Sequence, residues 1–484
     1  MFRAAVFFLI CALAPLARGG DYTALDRYVA APDASYRYTL VGTVNSPGIV
    51  AYQIDLVSQT WLTTAEVDKP VWHHWVTIYK PDQLTTSTAV LFIDGGSNTS
   101  SPAPPDPLMM LLAASAGAVV VDLGQVPNEP LTFAGETQSR TEDAIIAYTW
   151  DKYLRTGDER WPARLPMTKA AVRAMDAVTD FLAKLPAGAL TVKNFVVAGG
   201  SKRGWTTWSA AQVDPRVIAI APIVIDTLNL PDVFESQWQA YGFWAPAVQD
   251  YVDMGIMKWF GTPQMAALQE IEDPYQYRQR LALPSYQMNS TGDQFFLPDS
   301  PRFYFSDLPG EKYLRFVPNT DHGMSSVSTA ANLVAWFRAV TLNYPRPRFY
   351  WRADRAEGTL TVRVVDAPSQ VLLWQAANPK ARDFRLETIG PAWTSTPLTG
   401  TNGVYTAAVT ADMGWSAFFV ELTYPGPGVP PNNFPLVFTT EVVVTPDVYP
   451  FEAPPGWPPV RRQRGVELPD RRDAAAPPPT APRQ

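Results

Sequence analysis

Thiols and imidazoles are scarce in this chain. Its 484 residues include one cysteine, Cys11, and three histidines, His73, His74 and His322. Cys11 falls in an N-terminal stretch expected to be removed, so the mature protein is expected to have no disulfide, no cysteine nucleophile and no thiolate metal site. Charge is sparse too: 18% of residues are charged and the formal net charge is −7, which leaves no basic footprint for nucleic acid. Long apolar runs are missing. The run over residues 4–14 is well short of the roughly 20 apolar residues that a membrane span needs, and no other segment is long enough. No internal repeat is present.

What the chain does contain begins with Arg3, that apolar run, and small residues around Ala17 and Gly20. This is the pattern of a secretory signal peptide over residues 1–19. Ile10, just before Cys11, is too bulky for lipoprotein processing, so export to a bacterial periplasm or beyond is expected, with no stable membrane anchor after signal removal. A hydrophobic content of 46% in a chain of this length predicts a globular protein with a large core and more than one domain. The 47 prolines and 12% aromatics predict stiffened loops and aromatic-lined surfaces without naming a ligand.

In chain order, residues 22–30 predict a short helix, and 49–61 and 71–79 predict antiparallel edge strands. His73 and His74 are neighbours on the second of these, so they point to opposite faces and cannot jointly hold a metal; they read as packing or surface histidines. From Ala89 the pattern becomes apolar strands alternating with helices, which implies right-handed crossovers and a mostly parallel sheet. Function in such sheets gathers at the carboxyl ends of the strands. Here those ends are Asp94-Gly95-Gly96-Ser97, Asp122, Ser201 and Asp226. Residues 227–282 break the alternation, are rich in aromatics, and predict a helical cap insertion over the strand ends. Strands resume at 283–289 and 313–318, and a helix over 325–342 closes a domain spanning 20–345. Short alternating strands then predict a β-sandwich of immunoglobulin-like size over 346–450, followed by a disordered proline-rich tail over 451–484.

The stretch from Val192 to Trp208 runs strand, glycine turn, Ser201, helix. A serine hydroxyl attacks poorly unless a base takes its proton and N–H groups meet the oxyanion, and a sharp strand-to-helix elbow exposes it to both. Gly199-Gly200-Ser201 fits the first half of the usual G-x-S-x-G pattern, but Arg203 occupies the last glycine position and Gly204 comes one residue late. Of the histidines, only His322 follows a predicted sheet strand, beside Gly323. Asp293 follows the preceding strand, so the chain order Ser201, Asp293, His322 is that of α/β-hydrolase triads. Asp226 is the rival acid; Asp321 is disfavoured because adjacent side chains seldom face one another. The expected oxyanion hole combines the N–H of Lys202 with one from the loop 95–98, at Gly96 or Ser97. Lys202 and Arg203 either form salt links around the elbow helix or bind an anionic substrate group, and Trp205 is a further candidate for substrate contact. Glu129 is either a loop glutamate or the partner of a peptide's free amine.

Four segments also carry a family resemblance: 199–208 (Gly-Gly-Ser-Lys-Arg-Gly-Trp-Thr-Thr-Trp), 128–131 (Asn-Glu-Pro-Leu), 140–144 (Arg-Thr-Glu-Asp-Ala) and 292–298 (Gly-Asp-Gln-Phe-Phe-Leu-Pro). Together they resemble the PhoPQ-activated pathogenicity-related proteins, from about Tyr22 into the sandwich. The resemblance implies an α/β-hydrolase fold with Ser201, Asp293 and His322 at the triad positions. It implies no substrate, and a similarity to prolyl-peptidase-like hydrolases puts peptides among the candidates. The expected activity is that of a secreted serine hydrolase acting on a small-molecule or peptide ester or amide. It needs no cofactor and no metal. The rival expectation is a non-catalytic signalling or binding protein on the same scaffold, and composition alone would also allow carbohydrate binding. The sequence leaves the oligomeric state open.

Overall fold

The computed structural model describes residues 22–186, 188–428, 433–454 and 457. The expected signal peptide over 1–19 and most of the expected tail over 451–484 lie outside these residues. Among the described residues, nine strands precede residue 345: β1 (Arg37–Ser46), β2 (Ile49–Thr60), β3 (Val71–Pro81), β4 (Thr88–Ile93), β5 (Val120–Leu123), β6 (Asn194–Gly200), β7 (Val217–Ile223), β8 (Ser285–Ser290) and β9 (Lys312–Val317). Their order in the sheet is β1-β2-β3-β5-β4-β6-β7-β8-β9. The first three are antiparallel and β5 through β9 run parallel.

The central strands are apolar on both sides because helices cover both faces. Ala89, Leu91 and Ile93 of β4 belong to one core and Val90 to the other, the period of two that a pleated strand dictates. On the first face lie α1 (Ala24–Ala30), α4 (Arg164–Ala183) and α5 (Lys202–Val213); on the second, α2 (Pro107–Ala116) packs against α9 (Val327–Thr341). Helix α3 (Glu142–Thr156) follows β5. Sequence capping is visible at α1, where Thr23 and Asp26 form a reciprocal capping box. The insertion between β7 and β8 carries α6 (Leu230–Tyr241), α7 (Gln249–Asp253) and α8 (Pro263–Glu272). It is tied to the rest by Arg164, which is fully buried and pairs with Glu272 at 3.2 Å, and by Gln212, which donates to the Pro274 carbonyl. Among the described residues, no helix is long and apolar enough to cross a membrane. The architecture is an α/β-hydrolase fold with further strands at its C-terminal end.

Those further strands divide between two sheets. β10 (Phe349–Asp354), β11 (Thr359–Val364) and β14 (Val404–Ala408) make a small antiparallel sheet. β12 (Gln370–Asn378), β13 (Thr394–Pro397), β15 (Trp415–Tyr424), β16 (Leu436–Thr439) and β17 (Val443–Thr445) instead continue the main sheet, with β16 pairing antiparallel to β9. The join is well satisfied: the Phe316 N–H donates to Thr439 Oγ1, Tyr286 donates to the Val437 carbonyl, and Arg315 pairs with Glu421 at 2.6 Å. The open edge of β9 is thereby covered rather than left to solvent. The short helix α10 (Leu386–Ile389) lies between β12 and β13. Beyond residue 450, Phe451 donates its N–H to the Gln239 carbonyl and Trp457 stacks on Phe260 at 4.1 Å, so these two aromatics return to the cap.

Candidate active site

Ser201 stands between β6 and α5 with φ 55° and ψ −127°, a region that a residue with a Cβ enters only at a cost of order 1–3 kcal/mol. Its N–H donates to the Ile223 carbonyl at 2.8 Å, which holds the turn. The late glycine has a steric reason. A Cβ on Gly204 would come within 2.7 Å of Ile225 and 2.8 Å of the Gly199 carbonyl oxygen, and a Cβ on Gly199 would come within 2.8 Å of the Arg203 backbone. The elbow thus needs Gly199 and Gly204, while the side chain at 203 is free to be arginine.

The parallel register Ser290↔Val317 brings the loops after β8 and β9 side by side. From them, His322 Nδ1 meets Asp293 Oδ2 at 2.9 Å and Oδ1 at 3.1 Å, while His322 Nε2 meets Ser201 Oγ at 2.9 Å. Asp293 is buried and also accepts the Phe295 N–H at 2.7 Å; the His322 N–H donates to Gln294 Oε1, and the Phe295 ring lies 4.3 Å from the imidazole. The C-terminal region buttresses both loops. Leu386 donates its N–H to the Gly292 carbonyl, and Asn319 exchanges two hydrogen bonds with the backbone of Trp393.

Asp226 is turned away from the imidazole. Its Oδ1 lies 2.5 Å from the Tyr304 hydroxyl, which also lies 3.0 Å from Gln287 Oε1. The hydroxyl donates to Asp226 at the shorter of these distances. Complete burial, and secondarily the charge of Asp293, push the Asp226 carboxyl well above the ordinary range. Asp321 is occupied locally, accepting the Gly323 N–H.

The charged residues around the elbow form a closed network. Lys202 Nζ lies 2.6 Å from Glu142 and 3.0 Å from Asp143, and the Arg203 guanidinium makes two 2.8 Å hydrogen bonds to the Glu142 carboxylate. Burial opposes ionisation of Glu142, yet these two cations hold it down at about 2. The salt-link expectation for Lys202 and Arg203 is the one realised; a free cation for an anionic substrate is not. Glu129 is also turned inward. Its carboxylate accepts the Glu142 N–H at the start of α3 and lies 3.8 Å from Arg203, and burial, with the charge of Glu142, pushes it up to about 7. It therefore caps a helix, neither lying exposed in a loop nor standing free for an amine. Trp205 is likewise turned inward: its ring is buried against Arg164, 4.6 Å away, and its indole N–H donates to the Glu272 carbonyl. Four residues along α5 from Ser201, it points into the core rather than out of the strand ends.

The expected oxyanion groups sit at two chain turns. The Lys202 N–H is the first of α5, where helical geometry supplies no intrahelical acceptor. Gly96 has φ 117°, open to glycine alone, and the register Ile93↔Gly199 carries its loop alongside Ser201. Sequence reasoning missed Gln125 and Glu142, whose contacts are all long-range. The positive φ of both, 64° and 52°, is invisible in their residue types.

The chain is 39% identical over 456 residues to autocrine proliferation repressor protein A of Dictyostelium discoideum, covering 89% of this chain and 92% of that one. Among solved structures it is similar to acetyl xylan esterase 1 of Thermoanaerobacterium sp. JW/SL YS485, at 13% identity and TM-score 0.45 over 66% of this chain and 92% of that one. It is also similar to the acylaminoacyl peptidase of Pyrococcus horikoshii, at 12% identity and TM-score 0.39 over 64% of this chain and 51% of that one. Residues 25–385, which include all three residues of the Ser201, Asp293 and His322 chain, match the family model for PhoPQ-activated pathogenicity-related protein, and the chain belongs to that family.

Proposed function

We propose that the protein is an exported serine hydrolase that cleaves an ester or amide bond, peptides included, through an acyl-enzyme on Ser201. The observation that carries this reading is the unbroken hydrogen-bonded chain from Ser201 Oγ through His322 to Asp293, with the serine on a strained elbow. In the proposed reaction, Ser201 Oγ attacks the substrate carbonyl carbon while its proton passes to His322 Nε2. Asp293 accepts the Nδ1 hydrogen bond and stabilises the imidazolium. The oxyanion forms against the N–H of Lys202 and an N–H of the loop after β4. Collapse of the tetrahedral intermediate breaks the scissile bond, and His322 returns the proton to the leaving oxygen or nitrogen. Water then repeats the sequence on the acyl-enzyme, taking the place of Ser201 as the attacking group. Export rests on the N-terminal sequence pattern, and the Glu142 and Asp143 pairings favour a neutral carbonyl substrate over an anionic one.

The test is covalent labelling of the purified mature protein by a fluorophosphonate, alongside turnover of a small neutral ester. Wild type is expected to label stoichiometrically, Ser201→Ala not at all, and turnover is expected to fall roughly 10⁶-fold in that variant. Labelling that is absent from wild type, or unchanged in Ser201→Ala, would leave the chain a binding or signalling protein on a hydrolase scaffold.

A further inference from the structure

We infer that Gln125 is the positioning residue of the oxyanion hole, and that it selects the Gly96 N–H as the second donor; this rests on the serine-hydrolase reading. Gln125 follows β5, is buried at 2% exposure, and adopts φ 64°, a left-handed conformation that costs a residue with a Cβ. That conformation lets its backbone and its side chain reach the same loop. Its N–H donates to the Gly95 carbonyl at 2.7 Å, its Nε2 donates to the Ser97 carbonyl at 2.9 Å, and its Oε1 accepts the Trp75 N–H at 2.6 Å. The amide orientation follows from the partners, because a backbone N–H can only donate and a carbonyl can only accept.

The Gly95–Gly96 peptide is trans, so its N–H points opposite to its C=O. The C=O is turned to Gln125 at the end of β5. Strand order places β4 between β5 and β6, so the Gly96 N–H faces the β6 side, where the register carries Ser201 alongside Gly95. Two other amides of the loop are already committed: Gly95 donates to Asp94 Oδ1 and Asn98 donates to the Glu129 carbonyl. The Arg203 guanidinium packs against the loop, 2.5 Å from where a Cβ on Gly95 would stand, which leaves room there for glycine only. Gln125 therefore acts on the reaction without touching substrate: it fixes the direction of a peptide plane.

The experiment compares wild type with Gln125→Glu, which keeps shape and the bond to Trp75 but replaces the donor to Ser97 with an acceptor. Rates are taken per fluorophosphonate-titrated site, so that unfolded protein does not count. We expect kcat for a neutral ester to fall about 10- to 100-fold, with KM changed by less than about 2-fold, because the lost interaction exists only as the oxyanion forms. The wild-type preference for an oxoester over the matching thionoester should narrow by a similar factor. If Gln125→Glu does not fold, Gln125→Met carries the same expectation. Unchanged kcat per titrated site, with only the melting temperature lowered, would overturn the inference and leave Gln125 a packing residue. If wild type itself shows no Ser201-dependent turnover, the hydrolase reading fails and this inference falls with it.

Discussion

Among the described residues, two serine–histidine pairs have the same spacing, and one of them sits in a setting suited to the proposed catalysis. On β2 and β3, Ser58 Oγ lies 2.9 Å from His74 Nε2, matching the 2.9 Å between Ser201 and His322. The difference is in what surrounds them. His74 Nδ1 meets the Gly124 carbonyl, a neutral dipole, whereas His322 Nδ1 meets the Asp293 carboxylate. His74 is sealed in the core at 0% exposure, whereas the His322 side chain retains 20%. Ser58 sits at a bulge of β2, between Val57 and Gln59 and inside the sheet, whereas Ser201 stands on a strained elbow at a strand end. On the proposed mechanism, a hydrogen bond between serine and imidazole is not sufficient for activation. The imidazole also needs a charge to stabilise its protonated form and a face that a substrate can reach.

The sharpest way to break this comparison is to make the orienting group of His322 resemble that of His74. Asp293→Asn replaces the carboxylate by a neutral amide and is expected to cut kcat by about 10⁴-fold, measured with a neutral ester, with little change in KM. Asp226→Asn, altering a buried carboxyl that bonds to Tyr304, should leave kcat within a few-fold. A reversed ranking would move the acid of the triad to Asp226.

The second comparison concerns pH. Burial pushes the His74 imidazole down from 6.5 to about 4. A depressed folded value means that the unfolded chain takes up the proton first, so the stabilisation is complete above pH 6.5 and is lost as pH falls towards 4. The whole window is worth about 3 kcal/mol, most of it lost below pH 6. Denaturant unfolding at pH 7 and pH 5 should show wild type losing about 2 kcal/mol more than a His74→Asn variant. Glu129 and Asp122, both pushed up to about 7, contribute with the opposite sign, and the difference between wild type and variant removes them. Equal pH slopes would mean that His74 is charged or exposed.

The smallest effect separates the two serines. Ser58→Ala strands a buried imidazole nitrogen and should lower stability by about 1–3 kcal/mol, read as a shift in denaturant midpoint, while kcat per titrated site stays unchanged. A loss of turnover at constant folded fraction would mean that the β2–β3 pair takes part in the reaction.

What was legible in the sequence was local or periodic. The elbow could be read because strand, glycines, serine and helix are consecutive, and the strand ends could be read because apolar runs stop where the chain turns. Chain order then singled out Asp293 and His322, which the parallel register of β8 and β9 brings together with Ser201. The opposite faces of His73 and His74 followed from strand pleating, and His73 indeed pairs with Asp55 while His74 turns inward. What depended on pairings between distant segments could not be read. The main sheet continues through β16 because the edge of β9 is free in space, which no property of residues 312–317 announces. Glu129, Lys202 and Arg203 carry charges that the sequence left available to a substrate; only the fold, closing α3 onto α5, matches them to one another and to Glu142. Residue types along the chain determined which chemistry could be assembled and at which strand ends. Tertiary structure decided which polar groups are consumed by each other, because a buried charge or donor takes whichever partner the packing brings within reach.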